Sequence, residues 1–339
     1  MMQSARTYEL CLKPESSTVV RRGPGDIAQL GIGRSTSDIL RLAGLMFPLC
    51  PRAHVAASLN AIEQASAIEL SKNQRAVRDC LILSEALVSA IWRAALHWPA
   101  LLGHDGLPAA VRDAHQASQH IEAALYQAPW AHPGGAEVVV QRQALDAAIA
   151  VLSSTLRDMR PLADQVLAAS SGIDCSASVS RPLEDALFDA SVEPNLAGFE
   201  ETPRALHAPP RRPVGLAPWF QAQCAHAQWL LEMLLEASQH VANEAPAQDS
   251  RLQDGSGLGI SMTARGRLRH ALSISDGVVT HWSIAAPTDW NFAPRGPIVK
   301  AANQLLATSK QPEHDAKWLV AAYDPCAPCS IHVAGGAHA

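Results

Sequence analysis

A chain of 339 residues with 48% apolar residues can bury a large core without covalent staples. Its net charge of −5 leaves no basic footprint for nucleic acid and no polybasic cluster for an anionic membrane surface. Seven cysteines, an odd number at scattered spacings, argue against a disulfide framework.

In chain order, Thr7–Leu12 reads as a strand, followed by turns at Gly23-Pro24-Gly25 and Gly31-Ile32-Gly33. The spacing predicts a helix over 35–45, and Pro48 and Pro51 interrupt the pattern around Cys50. Apolar residues then recur at helical spacing over 53–71 and 73–98, with Leu81, Leu83, Leu87, Ile91 and Ala95 near one stripe. Residues 103–135 read as loops. Another helix is expected over 137–160, where Pro161 ends or kinks it.

The proline-rich stretch of about 170–218 reads as an irregular connection, and 220–244 returns to helical spacing. The period then changes to two. Arg267–Ser275 and Val278–Ala285 flank Asp276-Gly277, a strong hairpin signal. A loop over 287–297, a helix over 298–308 and an extended run over 318–323 complete the reading. The expected fold is mixed and predominantly α-helical, with a small β-hairpin or sheet region, in a single domain over 1–339. No continuous apolar run long enough for a membrane span and no secretory h-region stand out, so a cytoplasmic location is expected.

The chemistry concentrates at the end of the chain, in Asp324-Pro325-Cys326-Ala327-Pro328-Cys329-Ser330-Ile331-His332. Thiolates are soft ligands for iron, nickel, zinc or copper(I), and the two prolines stiffen the turn that presents them. Cys-x-x-Cys by itself also fits half a zinc site or a redox pair. A second pair at zinc-ribbon spacing is missing, and too few residues follow for the helix that a redox motif opens. Cys11, Cys80, Cys175 and Cys224 read as small buried hydrophobes.

The longer string resembles the second metal-binding motif of nickel–iron hydrogenase large subunits. Two more stretches match that family in the same order. Ala264-Arg265-Gly266, the Asp276-Gly277 hairpin and Pro287-Thr288-Asp289-Trp290-Asn291 are similar to its Ala-Pro-Arg-Gly, hairpin and Pro-Thr-x-Trp-Asn run. Near the N-terminus, Cys50-Pro51-Arg52-Ala53-His54 matches the second cysteine and the histidine of its first motif, but Phe47 stands where the first cysteine belongs.

The resemblance implies the large-subunit fold with a helical bundle core. It also implies that Cys50 and Cys329 match the two cysteines that bridge to iron, and Cys326 one terminal nickel ligand. Arg265 and Thr288 match the pocket around iron's diatomic ligands. His54 and His332 match residues that orient the cysteine loops, and Asp324 reads as a cap or brace of the terminal turn rather than a metal ligand. With Phe47 in place of a thiolate, nickel is not expected, and no glutamate between Ser16 and Leu49 offers the family's proton relay.

This pattern resembles the HupK/HoxV-type hydrogenase maturation proteins. It implies a non-catalytic scaffold that transiently holds Fe(CN)2(CO), with a HypC-type chaperone, HypD and the large-subunit precursor as partners. The competing readings are a hydrogenase-like enzyme with an altered nickel site and a metal-free adaptor of the same fold.

Overall fold

Tyr8, Leu10 and Leu12 alternate with Thr7, Glu9 and Cys11, and that period of two folds as β1 (Thr7–Leu12), its apolar residues facing inward. The structure, a computed structural model, describes residues 6–13, 16–23, 25–175, 181–182, 199–200, 202–203, 206, 215–246 and 251–333. Most of the proline-rich connection expected over 170–218 lies outside the described residues.

Strand β2 (Thr18–Arg22) pairs antiparallel with β1, and α1 (Thr36–Met46) starts at a Ser35 cap, close to the expected bounds. Helices α2 (Pro51–Ala65) and α3 (Lys72–Trp92) follow. A π turn over Arg93–His97 leads into α4 (Trp98–Leu102). Then come α5 (Pro108–Ala123), α6 (Arg142–Asp158) and α7 (Arg160–Ser170), Pro161 sitting in the first turn of α7. The two-residue strands β3 (Arg181–Pro182) and β4 (Phe199–Glu200) pair in parallel, and α8 (Ala217–Gln239) follows them.

Strands β5 (Gly255–Thr263), β6 (Gly266–Ser275) and β7 (Val278–Ala285) form an antiparallel meander. The β6–β7 turn is the expected hairpin, with Asp276 at φ 50° and Gly277 at φ 76°. Helices α9 (Pro287–Asn291), α10 (Pro297–Thr308) and α11 (Pro312–Tyr323) precede β8 (Cys329–Val333), which joins the free edge of β1 in parallel.

Three expectations are corrected, one of them the loop over 287–297, whose first five residues are α9. The loops expected over 103–135 contain α5, a helix opened by Pro108 whose Ala114, Ala117 and Ile121 reach the core. The extended run over 318–323 is the end of α11, where Glu313 and Asp315 occupy the first turn and Ala316, Leu319 and Tyr323 are buried on one side. Lys72–Leu102 is long and apolar enough to cross a membrane, although no unbroken apolar run marks it. It is a core element here, with 72% of its most apolar window buried inside the protein.

That long helical run and α8 both pass through two apolar clusters. One gathers Leu59, Leu81, Leu87, Ile121, Leu152, Leu234 and Trp282, and the other Leu10, Trp98, Phe220, Leu305 and Leu319. Between α2 and the sheet the fit is unusually close. Gly255, Gly257 and Gly259 on β5 lie against the Ala65, Ala61 and Ala57 carbonyls of α2, and a Cβ on any of them would collide with that backbone. Side chains of α2 also serve β5, Asn60 donating to the Ile260 carbonyl at 2.9 Å and Gln64 accepting from the Leu258 N–H at 2.5 Å. A buried bidentate pair, Arg78 to Glu63 at 2.8 and 2.9 Å, ties α2 to α3.

Replacing Gly259 by alanine wedges α2 away from β5. An expected loss of about 1–3 kcal/mol in urea unfolding follows from overpacking. Alanine at Gly25, where nothing lies within 4 Å, serves as the control and is expected to be near neutral. Equal midpoints for the two variants would contradict the close-packed seam.

Candidate metal centre

Cys50 is the N-cap residue of α2, held there by a one-turn link from α1 in which its N–H donates to the Phe47 carbonyl at 3.2 Å. Pro51 begins the helix, a position where its missing N–H costs nothing. Glu85 on α3 accepts the next two free N–H groups, from Arg52 and Ala53, both at 2.9 Å. Burial pushes the Glu85 carboxyl up to about 7 against the pull of those two donors.

The terminal motif is held from the other side. Asp324 caps α11 in the left-handed region, at φ 47°, with its carboxylate buried. Arg93 of the π turn donates to its Oδ2 at 2.7 Å. Arg265, at the β5–β6 turn, donates through Nε to the Asp324 carbonyl at 2.8 Å and lies 3.2 Å from the same Oδ2. Its Nη1 donates to Ser89 Oγ at 2.9 Å. Burial acting by itself would raise the Asp324 carboxyl, but Arg265 and Arg93 outweigh it and hold it below its usual range.

Two residues further on, the Cys326 N–H donates to Thr288 Oγ1 at 2.9 Å. The Thr288 hydroxyl accepts there, so its own hydrogen stays available to donate. The neighbouring Asp289 is bound by Arg6, at 2.7 Å to each oxygen, and by the Tyr8 hydroxyl at 2.5 Å. These contacts anchor the α9 loop to β1, the strand that β8 joins.

Cys326, Cys329 and Arg265 line one largely apolar cleft of about 670 Å³, together with Leu49, Glu85, Trp92 and Asp324. Cys50 borders a small recess that shares Leu49, Glu85, Ser89 and Arg265 with that cleft. Burial, then the charge of Cys326, pushes the Cys50 thiol up. Burial also raises Cys326, against Arg265 and Thr288, and raises Cys329 to about 11. The three sulfurs are not preassembled: among the described residues no three His, Cys, Asp or Glu side chains are gathered closely enough to hold an ion. Cys50 and Cys326 feel each other electrostatically, whereas Cys329 opens β8 opposite Tyr8.

Phe47 and His54 stack face to face, with ring centroids 3.6 Å apart and planes within 2°. Below them His54 Nδ1 lies 3.0 Å from His270 Nε2, and His270 Nδ1 lies 2.9 Å from Ser58 Oγ. Trp282 Nε1, a donor only, reaches the same Nδ1 at 3.3 Å. His270 therefore carries its proton on Nε2 and donates it to His54 Nδ1, which leaves the His54 proton on Nε2. Burial lowers both rings, His270 to about 3, so the pair is neutral.

Of the residues singled out from sequence, Arg265, Thr288, Asp324 and Cys326 meet in one place. His54 braces β6 and Phe47, whose carbonyl accepts from the Cys50 N–H. His332 is corrected: it lies on the outer face of β8, exposed, with Nε2 3.1 Å from Ser330 Oγ. Strand alternation explains this, since Cys329 and Ile331 face the second apolar cluster and Ser330 and His332 face away. Cys80 and Cys175 are buried as expected, while Cys11 and Cys224 are half-buried.

Arg93, Glu85 and Ser89 were not singled out. Their one signal in the sequence is polarity inside an otherwise apolar helical run.

The nickel-dependent hydrogenase family profile matches residues 214–332. The chain is 27% identical to the hydrogenase expression/formation protein HupK of Azotobacter vinelandii, over 93% of each chain. It is 27% identical to the protein of that name from Bradyrhizobium diazoefficiens, over 100% of this chain and 96% of that one. Its fold is similar to the nickel–iron–selenium hydrogenase of D. vulgaris Hildenborough, with a TM-score of 0.65 at 15% identity, over 94% of this chain and 98% of that one.

Because Glu85 holds its proton to a higher pH folded than unfolded, its stabilising contribution is complete below the ordinary glutamate range. That contribution is lost as pH rises through about 7. Glu85→Gln removes this titration. Between pH 5 and 8 the native protein is expected to lose on the order of 2 kcal/mol relative to the glutamine variant in urea unfolding. Parallel pH profiles would contradict the buried cap.

Proposed function

We propose that this HupK-type relative of the nickel-dependent hydrogenase large subunit serves hydrogenase formation as a non-catalytic scaffold. Its cargo is the iron–dicyanide–carbonyl group, taken on Cys50 and Cys329 with Cys326 beside them and passed to the large-subunit precursor. One observation carries the reading. Phe47 stands where the related enzymes have a cysteine and is spent on the His54 stack, while the residues matching the iron side of the site remain around the cysteine cleft.

The donor set supports iron over nickel. Two thiolates complete iron's strong-field ligands, whereas soft four-coordinate nickel would keep three sulfurs and face an apolar ring. Thr288 has a hydroxyl hydrogen to offer, and Arg265 leaves Nη2 available beside the cleft; both suit the nitrogen of a bound cyanide. The thiols are held protonated at neutral pH, so capture releases protons and is favoured as pH rises. Sulfurs that meet only when cargo arrives suit a carrier that must also let go. In this reading the scaffold works in the cytoplasm, with a HypC-type chaperone and HypD delivering the cargo.

Protein purified anaerobically from its host is expected to show cyanide and carbonyl infrared bands, with iron and without nickel. Cys50→Ala and Cys329→Ala are each expected to reduce those bands at least about tenfold, the loss of one of two thiolate anchors. Stoichiometric nickel with hydrogen oxidation, or bands unchanged in both variants, would overturn the scaffold.

A further inference from the structure

The charges beneath the cysteine cleft do not cancel. Arg93 is 2% exposed and Arg265 is 7% exposed, and both reach one oxygen of Asp324, at 2.7 and 3.2 Å. Two cations therefore share one anion. The other carboxylates nearby are committed elsewhere. Asp289 is taken by Arg6 and Tyr8, with Arg21 a further 3.8 Å away, and Glu85 caps α2. His97, on the same cleft, is held neutral by burial.

Arg93 has no other hydrogen-bond partner among the described residues, and its Nε is buried without one. A buried cation without a matching anion is costly to maintain. The π turn that inserts Arg93 is the kind of helix irregularity that concentrates at functional sites.

We propose that Arg93 is a positioning residue that leaves the cleft floor with a net positive charge, so that the site admits an anionic metal complex and disfavours a bare divalent cation. The inference rests on the scaffold reading above for the identity of the complex. Ferrous iron with two cyanides and a carbonyl is neutral on arrival, so the complex it forms with the two thiolates is a dianion that keeps its attraction to that floor. An aquated ferrous or nickel ion carries the opposite sign and is repelled by the same guanidinium pair before any thiolate can bind it. Arg93 need not touch the cargo. It acts through Asp324 and Arg265, which it keeps oriented and undercompensated.

The test uses the full chain free of metal, and two alkylating reagents of similar size. The same thiolate attacks anionic iodoacetate and neutral iodoacetamide, displacing iodide from each, so their rate ratio at Cys326, read by peptide mass spectrometry, is independent of the thiol's own pKa. The reference is the same cysteine in the urea-unfolded chain. At low salt the native ratio is expected to exceed the reference by about fivefold, the scale of one partly screened charge.

Arg93→Gln is expected to bring the ratio back to the reference, and Arg93→Lys to retain it. Ser89→Asp leaves both arginine contacts to Asp324 in place and replaces the hydroxyl that accepts from Arg265 Nη1 by a carboxylate, so it keeps the test open if Arg93→Gln fails to fold; it too is expected to abolish the excess. A native ratio equal to the reference, or an excess that survives Ser89→Asp, would overturn the proposal. Because no metal takes part, an excess found in a protein that lacks cyanide bands from its host would sink the scaffold reading and leave the charge assignment standing.

Discussion

Asp324 is a carboxylate with almost no water around it, and three distant parts of the chain end on it. The π turn after α3 brings Arg93, the β5–β6 turn brings Arg265, and α11 brings the aspartate itself in a left-handed cap. In a low-dielectric interior such a group is tolerated only if its partners hold fixed geometry. The motif Pro325–Cys329 starts from this point, so the directions of its sulfurs follow from where Asp324 is pinned. The Thr288 contact to the Cys326 amide and the Asp289 anchor to β1 then fix the opposite edge of the cleft.

Cys50 reaches the same neighbourhood by a different kind of constraint, which is shape. The glycines of β5 remove every Cβ that would separate the strand from the alanine ridge of α2. The helix therefore lies directly on the sheet, and its first turn, with Cys50 at the cap, stands beside the β5–β6 turn that carries Arg265. Small residues contribute little apolar area here. They set a distance, and the distance sets which side chains share a recess.

The place of Phe47 also has a packing reason. A phenyl ring stacked on a neutral imidazole is stable in an apolar setting, and the His54–His270–Ser58 chain locks that imidazole from below. Phe47 is therefore integrated into the packing beside Cys50, and a thiol in its place would leave a gap over His54.

Much of the outline was legible in local pattern. Alternation marked β1, Asp276-Gly277 marked the hairpin, and helical spacing marked α1, α3 and α8. Proline misled where it opened helices: Pro108 was read inside a loop but stands at the first position of α5, and Pro312, left without a reading, stands at the first position of α11. The cysteines of the terminal motif were identifiable as soft ligands from residue type and spacing, because that chemistry belongs to the side chains themselves, whereas Arg265, Thr288 and Phe47 were singled out only through the family resemblance. Only the tertiary structure decided which of them meet. Arg93 pairs with Asp324 across 231 positions, and His332 turns outward because β8 joins β1. A sequence's periodicities reach over a few residues, whereas a buried charge finds its counterion through the packing of whole elements. So the sequence by itself determined which chemistry-bearing side chains are present, and the fold decided which of them meet.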